Sequence, residues 1–127
     1  SIDVKKLNKD YVVFTNSGRK NTKKKLDEVV RLAEDSGAGE ILINSIDRDG
    51  SKKGFDLKLI QIAKKNTNIP INICGGAGKV SDFNKALKFK PSGICAANFF
   101  HFKEQRVRVL KNELIKLNHH KKIRKDN

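Results

Sequence analysis

Four short strings hold the residues best suited to chemistry: Ser1-Ile2-Asp3, Ser45-Ile46-Asp47-Arg48-Asp49-Gly50, Cys74-Gly75-Gly76-Ala77-Gly78 and Ala96-Ala97-Asn98-Phe99. Gly75-Gly76 lets backbone N–H groups approach an oxyanion with no Cβ in the way, although a pair of glycines also serves a plain tight turn. Gly50 offers the same freedom one string earlier, and Asn98 adds a side-chain amide. Anion binding, phosphate above all, is the chemistry these donors would do together. Asp3 is an ionisable group able to shuttle protons as a general acid or base. Capping a loop, or pairing with Lys5 or Lys6, is its alternative use. Asp47 and Asp49 compete for the same kind of role, and spacing does not choose between them; Asp49-Gly50 also suits a turn.

These strings punctuate an alternation of strands and helices. Ser1 to Val4 reads as the end of a strand, and Tyr11 to Phe14 as a short extended excursion closing in a turn at Asn16-Ser17-Gly18. A helix follows from about Lys23 to Asp35, capped by Asn21 or Thr22, with Leu26, Val29, Val30 and Ala33 on its apolar stripe. Glu40 to Ile46 is a near-continuous apolar strand of the kind that helices cover on a parallel sheet. A helix over Asp56 to Lys65, a strand from Ile69 to Cys74, and a helix carrying Val80, Phe83, Ala86 and Leu87 come next. Gly93 to Ala97 forms the last strand, and a long helix from about Lys103 to Asn118 closes the pattern. His119 to Asn127 is a charged tail.

Four consecutive βα units imply a parallel sheet with right-handed crossovers. An eight-unit barrel takes about 250 residues, so four units in 127 residues make half of one. The α/β fold class is therefore half of a (β/α)8 TIM barrel, with residues 1–118 as a phosphate-binding half-barrel and 119–127 as the tail. In such barrels the active site gathers at the C-terminal strand ends, where all four strings fall. Ser-Ile-Asp recurs at two of those ends, as related units would have it. Glu40 leads its strand at the opposite end, where it meets solvent or joins a charged ring.

Composition removes several other functions. No apolar run approaches the 18 residues of a membrane span, and the opening residues are not those of a secretory leader. The chain opens without Met and reads as a fragment. Net charge is +14, from 28 Lys+Arg against 14 Asp+Glu, which raises a basic nucleic-acid-binding module as an alternative of another class. With one Tyr, no Trp and scattered lysines there is no stacking platform, so nucleic acid is not the expected partner. Cys74 and Cys95 form neither a zinc pattern nor a disulfide framework, and they fit a reduced, cytoplasmic protein.

The string Gly37 to Gly50, Phe55-Asp56, Gly75 to Lys79 and Phe100-His101-Phe102 resemble, in order and spacing, the cyclase subunit family of imidazole glycerol phosphate synthase. So does the opening Ile2-Asp3 with Ser17 to Thr22, and the resemblance covers nearly everything but the tail. It implies a lyase/cyclase of histidine biosynthesis, supplied with ammonia by a glutaminase partner. That reaction cleaves a phosphoribulosyl-formimino-carboxamide ribonucleotide to imidazole glycerol phosphate and an aminoimidazole ribonucleotide. By resemblance Asp3 is one of two catalytic aspartates. Asp49, Gly50, Gly75, Gly76, Ala97 and Asn98 form one of two phosphate-binding sites, and Glu40 belongs to the ammonia gate at the barrel bottom. No metal or organic cofactor is implied. The other aspartate, the other phosphate site and the rest of the gate belong to a missing N-terminal half-barrel, so the half alone is expected to be inactive. Asn98, Cys74 and Asn44 stand where the family has Ser, Ser and Thr. Those variants also resemble a paralogous branch that amidates sugars of surface polysaccharides.

Overall fold

The computed structural model describes residues 1–101, 107–117 and 123. Three strands, β1 (Ile2–Leu7), β2 (Asp10–Thr15) and β3 (Lys20–Lys25), run before the first helix, α1 (Leu26–Asp35). Strand and helix then alternate through β4 (Ile41–Ser45), α2 (Leu57–Asn66), β5 (Ile71–Cys74), α3 (Val80–Lys88) and β6 (Gly93–Cys95). Two helices follow, the single-turn α4 (Asn98–His101) and α5 (Val107–Lys116).

All six strands share one sheet in the order β3-β2-β1-β4-β5-β6. β1, β4, β5 and β6 are parallel neighbours, each followed by a helix, β1 only after the β2–β3 excursion: the four βα units of a partial barrel. Alternation sorts their side chains. Ile2 and Val4, Ile41 and Ile43, Ile71 and Ile73 are buried, while their neighbours Asp3, Leu42, Asn44, Asn72 and Cys74 are half-buried on the other face. The buried face meets Leu26 and Val30 of α1, Leu59, Ile60 and Ala63 of α2, and Phe83, Ala86 and Leu87 of α3 in one core. Phe55, Phe83 and Phe99 stack edge to face at its upper end, with centroids 5.3 and 4.9 Å apart.

The first unit corrects the sequence reading. Tyr11 to Phe14 is a full strand that pairs antiparallel with β1, from Asp3↔Phe14 to Leu7↔Asp10. Lys20–Lys25 is a third strand rather than a helix start. Asn21 and Thr22 do not cap α1. The Asn21 side chain accepts from Lys23 N at 2.7 Å within β3, and Thr22 accepts from Lys24 N and donates to the Val13 carbonyl at 2.6 Å, which holds β3 to β2. Lys23 sits at φ 60°, which no helix tolerates, and α1 begins only where Leu26 and Val30 reach the core. The hairpin gives β1 an antiparallel partner on the side away from β4. The sheet edges are β3 and β6.

One contact ties the hairpin to the rest. Tyr11 is buried, and its hydroxyl donates to both carboxylate oxygens of Asp56 at 2.9 Å. Asp56 in turn accepts from Leu59 N at 3.3 Å and caps α2. Burial first, then the Asp56 hydrogen bond, raises the Tyr11 phenol well above the ordinary tyrosine range. Tyr11→Phe is expected to lower stability by about 1.5–3 kcal/mol, since a hydrogen bond to a charged acceptor is lost. A group whose folded pKa is raised contributes stability below its unfolded value, near 10.0 here, and loses it as pH rises further. Urea unfolding of both proteins checks this: their stabilities separate at neutral pH and converge above that value.

At the other end the described part of the expected last helix is α5, and the single-turn α4 lies before its expected start. α4 covers Asn98–His101 and α5 begins at Val107, while the expected start near Lys103 lies outside the described residues. Leu110 and Leu114 of α5 are buried, whereas Val107 and Leu117 are nearly half exposed. The charged tail from 119 lies outside the described residues except for Ile123, which packs against the core. No helix among the described residues is long and apolar enough to cross a membrane.

Candidate functional site

The C-terminal ends of β4, β5 and β6 open into three loops that meet in one cleft. Asp49, Gly50, Gly75, Gly76, Ala97 and Asn98 all line it, together with Cys74, Ala77, Cys95, Ala96 and Phe99. Every residue assigned to the phosphate site by resemblance therefore comes to one place. Glycine is required there by space as well as by conformation. Gly75 and Gly76 stand at φ +94° and +107°, which side chains with a Cβ rarely adopt. A Cβ at Gly75 would lie 2.7 Å from the Ser45 carbonyl oxygen, and one at Gly76 would run into the Gly54 carbonyl. Gly54 N donates to Gly76 O at 2.7 Å, so the β4–α2 and β5–α3 loops are laced directly backbone to backbone. Arg48 closes the first of these loops on itself, donating to the Lys53 carbonyl at 3.0 Å.

The backbone N–H groups of Gly50, Gly76 and Ala77 have no acceptor among the described residues. The first turn of α3 does not add to them. The Asp82 carboxylate, buried, accepts from Gly78 N at 3.0 Å and from Lys79 N at 2.9 Å. Asp82 escaped the sequence reading, although its place three residues into a helix start matches a capping residue. An anion in the cleft would thus face the glycine segment and not the helix end.

The structure separates the aspartates that spacing left equivalent. Asp47 accepts from Lys6 N at 2.7 Å and fastens its loop to β1. Asp49 lines the cleft, its own N–H donating to Ser45 O at 2.9 Å. Asp3 pairs in register with Asn44, Asn44 with Cys74, and Cys74 with Cys95, so these four residues form one row across the open face of the sheet. Asn44 donates to the Asp3 carboxylate at 3.2 Å, and its own buried Oδ1 has no partner among the described residues. Among the described residues Asp3 enters no salt bridge with Lys5 or Lys6. Two strand spacings place Asp3 about 10 Å from the floor of the cleft at Cys74. Burial, then Cys95 and Asp49, pushes the Cys74 thiol up. Asn44 and Cys95 were not singled out for this row, because pairing register is absent from a linear string.

Glu40 lies exposed just before β4, with the same parity as Leu42 and Asn44 on the open face. Four residue steps along the chain separate it from Asn44, about 13 Å. It stands at the end of the sheet opposite the cleft.

The family model described as "Histidine biosynthesis protein" matches residues 1–106. The chain belongs to the histidine biosynthesis protein family. Among its relatives in that family is the imidazole glycerol phosphate synthase subunit HisF of Thermotoga sp. (strain RQ2), 45% identical over 116 residues, which cover 91% of this chain and 46% of the relative. HisF of Sulfolobus acidocaldarius is 44% identical over 114 residues, 90% of this chain and 45% of its own length. HisF of Hydrogenobaculum sp. (strain Y04AAS1) is 42% identical over 125 residues, 97% of this chain and 50% of that protein. The chain thus spans about half the length of the curated relatives it matches.

Proposed function

We propose that the chain is the C-terminal half-barrel of the cyclase subunit of imidazole glycerol phosphate synthase, and that it holds one phosphate end of the substrate beside a catalytic aspartate. The observation that carries this reading is the meeting of Gly50, Gly75, Gly76, Ala97 and Asn98 in one cleft, on the sheet whose open face also bears Asp3. Backbone N–H groups of the glycine segment and the Asn98 amide bind the phosphate. Asp49 carries a charge of the wrong sign for that anion, so its carboxylate accepts from hydroxyl groups of the adjoining sugar chain. Asp3, held by the Asn44 amide and about 10 Å from the floor of the phosphate cleft across two strands, moves protons at the reacting carbon–nitrogen centre.

Glu40 works at the other end of the barrel as part of the gate through which ammonia enters from a glutaminase subunit. A missing N-terminal half-barrel supplies the second aspartate and the second phosphate site. No metal or cofactor takes part in this scheme. The lyase assignment follows from the reaction itself, which breaks a carbon–nitrogen bond while the imidazole ring closes. The two free cysteines suit the reducing cytoplasm.

Turnover of the ribonucleotide intermediate with ammonium salt in place of glutamine, by the complete barrel carrying this chain, tests the reading. Production of imidazole glycerol phosphate is the expected result. Asn44, Cys74 and Asn98 favour a second reading, an ammonia-dependent sugar-amidating subunit. The named relatives are synthase subunits, which favours the first. A complete protein that leaves the intermediate untouched but restores surface-glycan amidation in a deficient strain decides for the second.

A further inference from the structure

The row across the open face ends in two thiols. Cys74 closes β5 and Cys95 closes β6, and the two are register partners in a parallel pair. Register partners on neighbouring strands project from the same face, with Cα atoms about 4.8 Å apart. That separation falls inside the Cα range of about 4.4–6.8 Å that a disulfide spans. Both residues line the cleft, and no third cysteine exists in the chain to compete. Cys95 is exposed and Cys74 half-buried, so an oxidant reaches one thiol first and the other waits beside it.

We propose that Cys74 and Cys95 are a redox-active dithiol that closes to a disulfide across the floor of the cleft. The oxidant is a low-molecular-weight disulfide such as oxidised glutathione. The Cys95 thiolate attacks one sulfur of that disulfide, forming a mixed disulfide and releasing one glutathione thiolate. Cys74, losing its proton to solvent, then attacks the Cys95 sulfur and expels the second glutathione as thiolate. Two protein thiols are oxidised, one glutathione disulfide is reduced to two thiols, and the exchange is balanced. The new bond ties together the strand ends that carry Gly75-Gly76 and Ala97-Asn98, and so fixes the width of the cleft between them. An anion seated above the pair shields it. This second consequence, unlike the first, rests on the phosphate-binding reading.

The complete protein is incubated with oxidised glutathione, alkylated under denaturing conditions and digested. The expected product is a Cys74–Cys95 cross-linked peptide that dithiothreitol reverses. In Cys74→Ser the reaction stops at a glutathione adduct on Cys95. Wild-type protein that accumulates the same adduct, with Cys74 still open to alkylation, overturns the proposal. Saturating inorganic phosphate is expected to slow closure by about fivefold or more, the usual scale of coupling between ligands at one locus. Calorimetry with phosphate on the reduced protein separates the two claims. Cross-linking without phosphate binding supports the dithiol and removes the phosphate reading. Phosphate binding without protection removes the placement of the thiols beneath the anion.

Discussion

Replacing Asp3 by asparagine in the complete barrel is expected to abolish ammonia-dependent turnover while leaving the fold intact. The two side chains have nearly the same shape, and Asn44 still finds a carbonyl oxygen to donate to in place of the carboxylate oxygen it now meets at 3.2 Å. What disappears is the titratable group. A positioned general acid or base contributes about 10²–10⁴-fold, so kcat falls by at least that order. The fall is in kcat and not in KM, because the cleft proposed to hold the phosphate lies two strands away and does not include Asp3. Steady-state kinetics with ammonium salt, beside an unchanged thermal unfolding profile, measure this. Undiminished turnover would refute the role assigned to Asp3.

The second large effect comes from a single methyl group. Gly76→Ala places a Cβ where the Gly54 carbonyl already stands, on a residue whose φ is +107°. The strained backbone alone costs about 1–3 kcal/mol, and the neighbour struck is main chain, which cannot swing aside as a side chain does. Relief requires the β4–α2 and β5–α3 loops to part, breaking the 2.7 Å bond from Gly54 N to Gly76 O. The cleft then loses the mutual placement of Gly50 and Gly76. Calorimetry with inorganic phosphate on the complete protein is expected to show affinity reduced more than tenfold, equivalent to about 1.4 kcal/mol or more. Gly39→Ala is the control. Its φ is ordinary and a Cβ there meets nothing within 4 Å, so affinity and stability stay near those of the parent. Equal losses in both variants would remove the cleft from the account of anion binding.

The two substitutions act on different links of one chain of causes. Asp3 sits on a strand whose alternation turns Ile2 and Val4 into the helix-covered core and leaves the carboxylate on the other face. Gly76 sits in a loop whose shape is set by what crosses it. Chemistry at the first is lost with a charge, and at the second with a backbone path.

The sequence by itself determined the βα alternation of the units from β4 onward, because buried parallel strands are continuous apolar runs and the helices between them keep an apolar stripe. It also determined which residues could form the cleft. Glycine strings at strand ends mark a path that only glycine follows, and at Gly75 and Gly76 the positive φ bears that out. The resemblance to the synthase cyclase was legible for the same reason, since its signature strings are these loops.

Tertiary structure alone decided the rest. Lys20–Lys25 has neither strand alternation nor a burial signal, with five of its six residues exposed, and becomes a strand because β2 offers a free edge. The Tyr11–Asp56 bond joins residues 45 positions apart, and no local pattern announces it. Asp47 and Asp49 are chemically identical two residues apart. Only the fold hands one to Lys6 and the other to the cleft. The row Asp3–Asn44–Cys74–Cys95 depends on how four strands slide past one another, and a slip of one residue would turn each side chain to the opposite face. Register is fixed by burying Ile43 and Ile73 under the helices, a property of the packed sheet and not of any single strand.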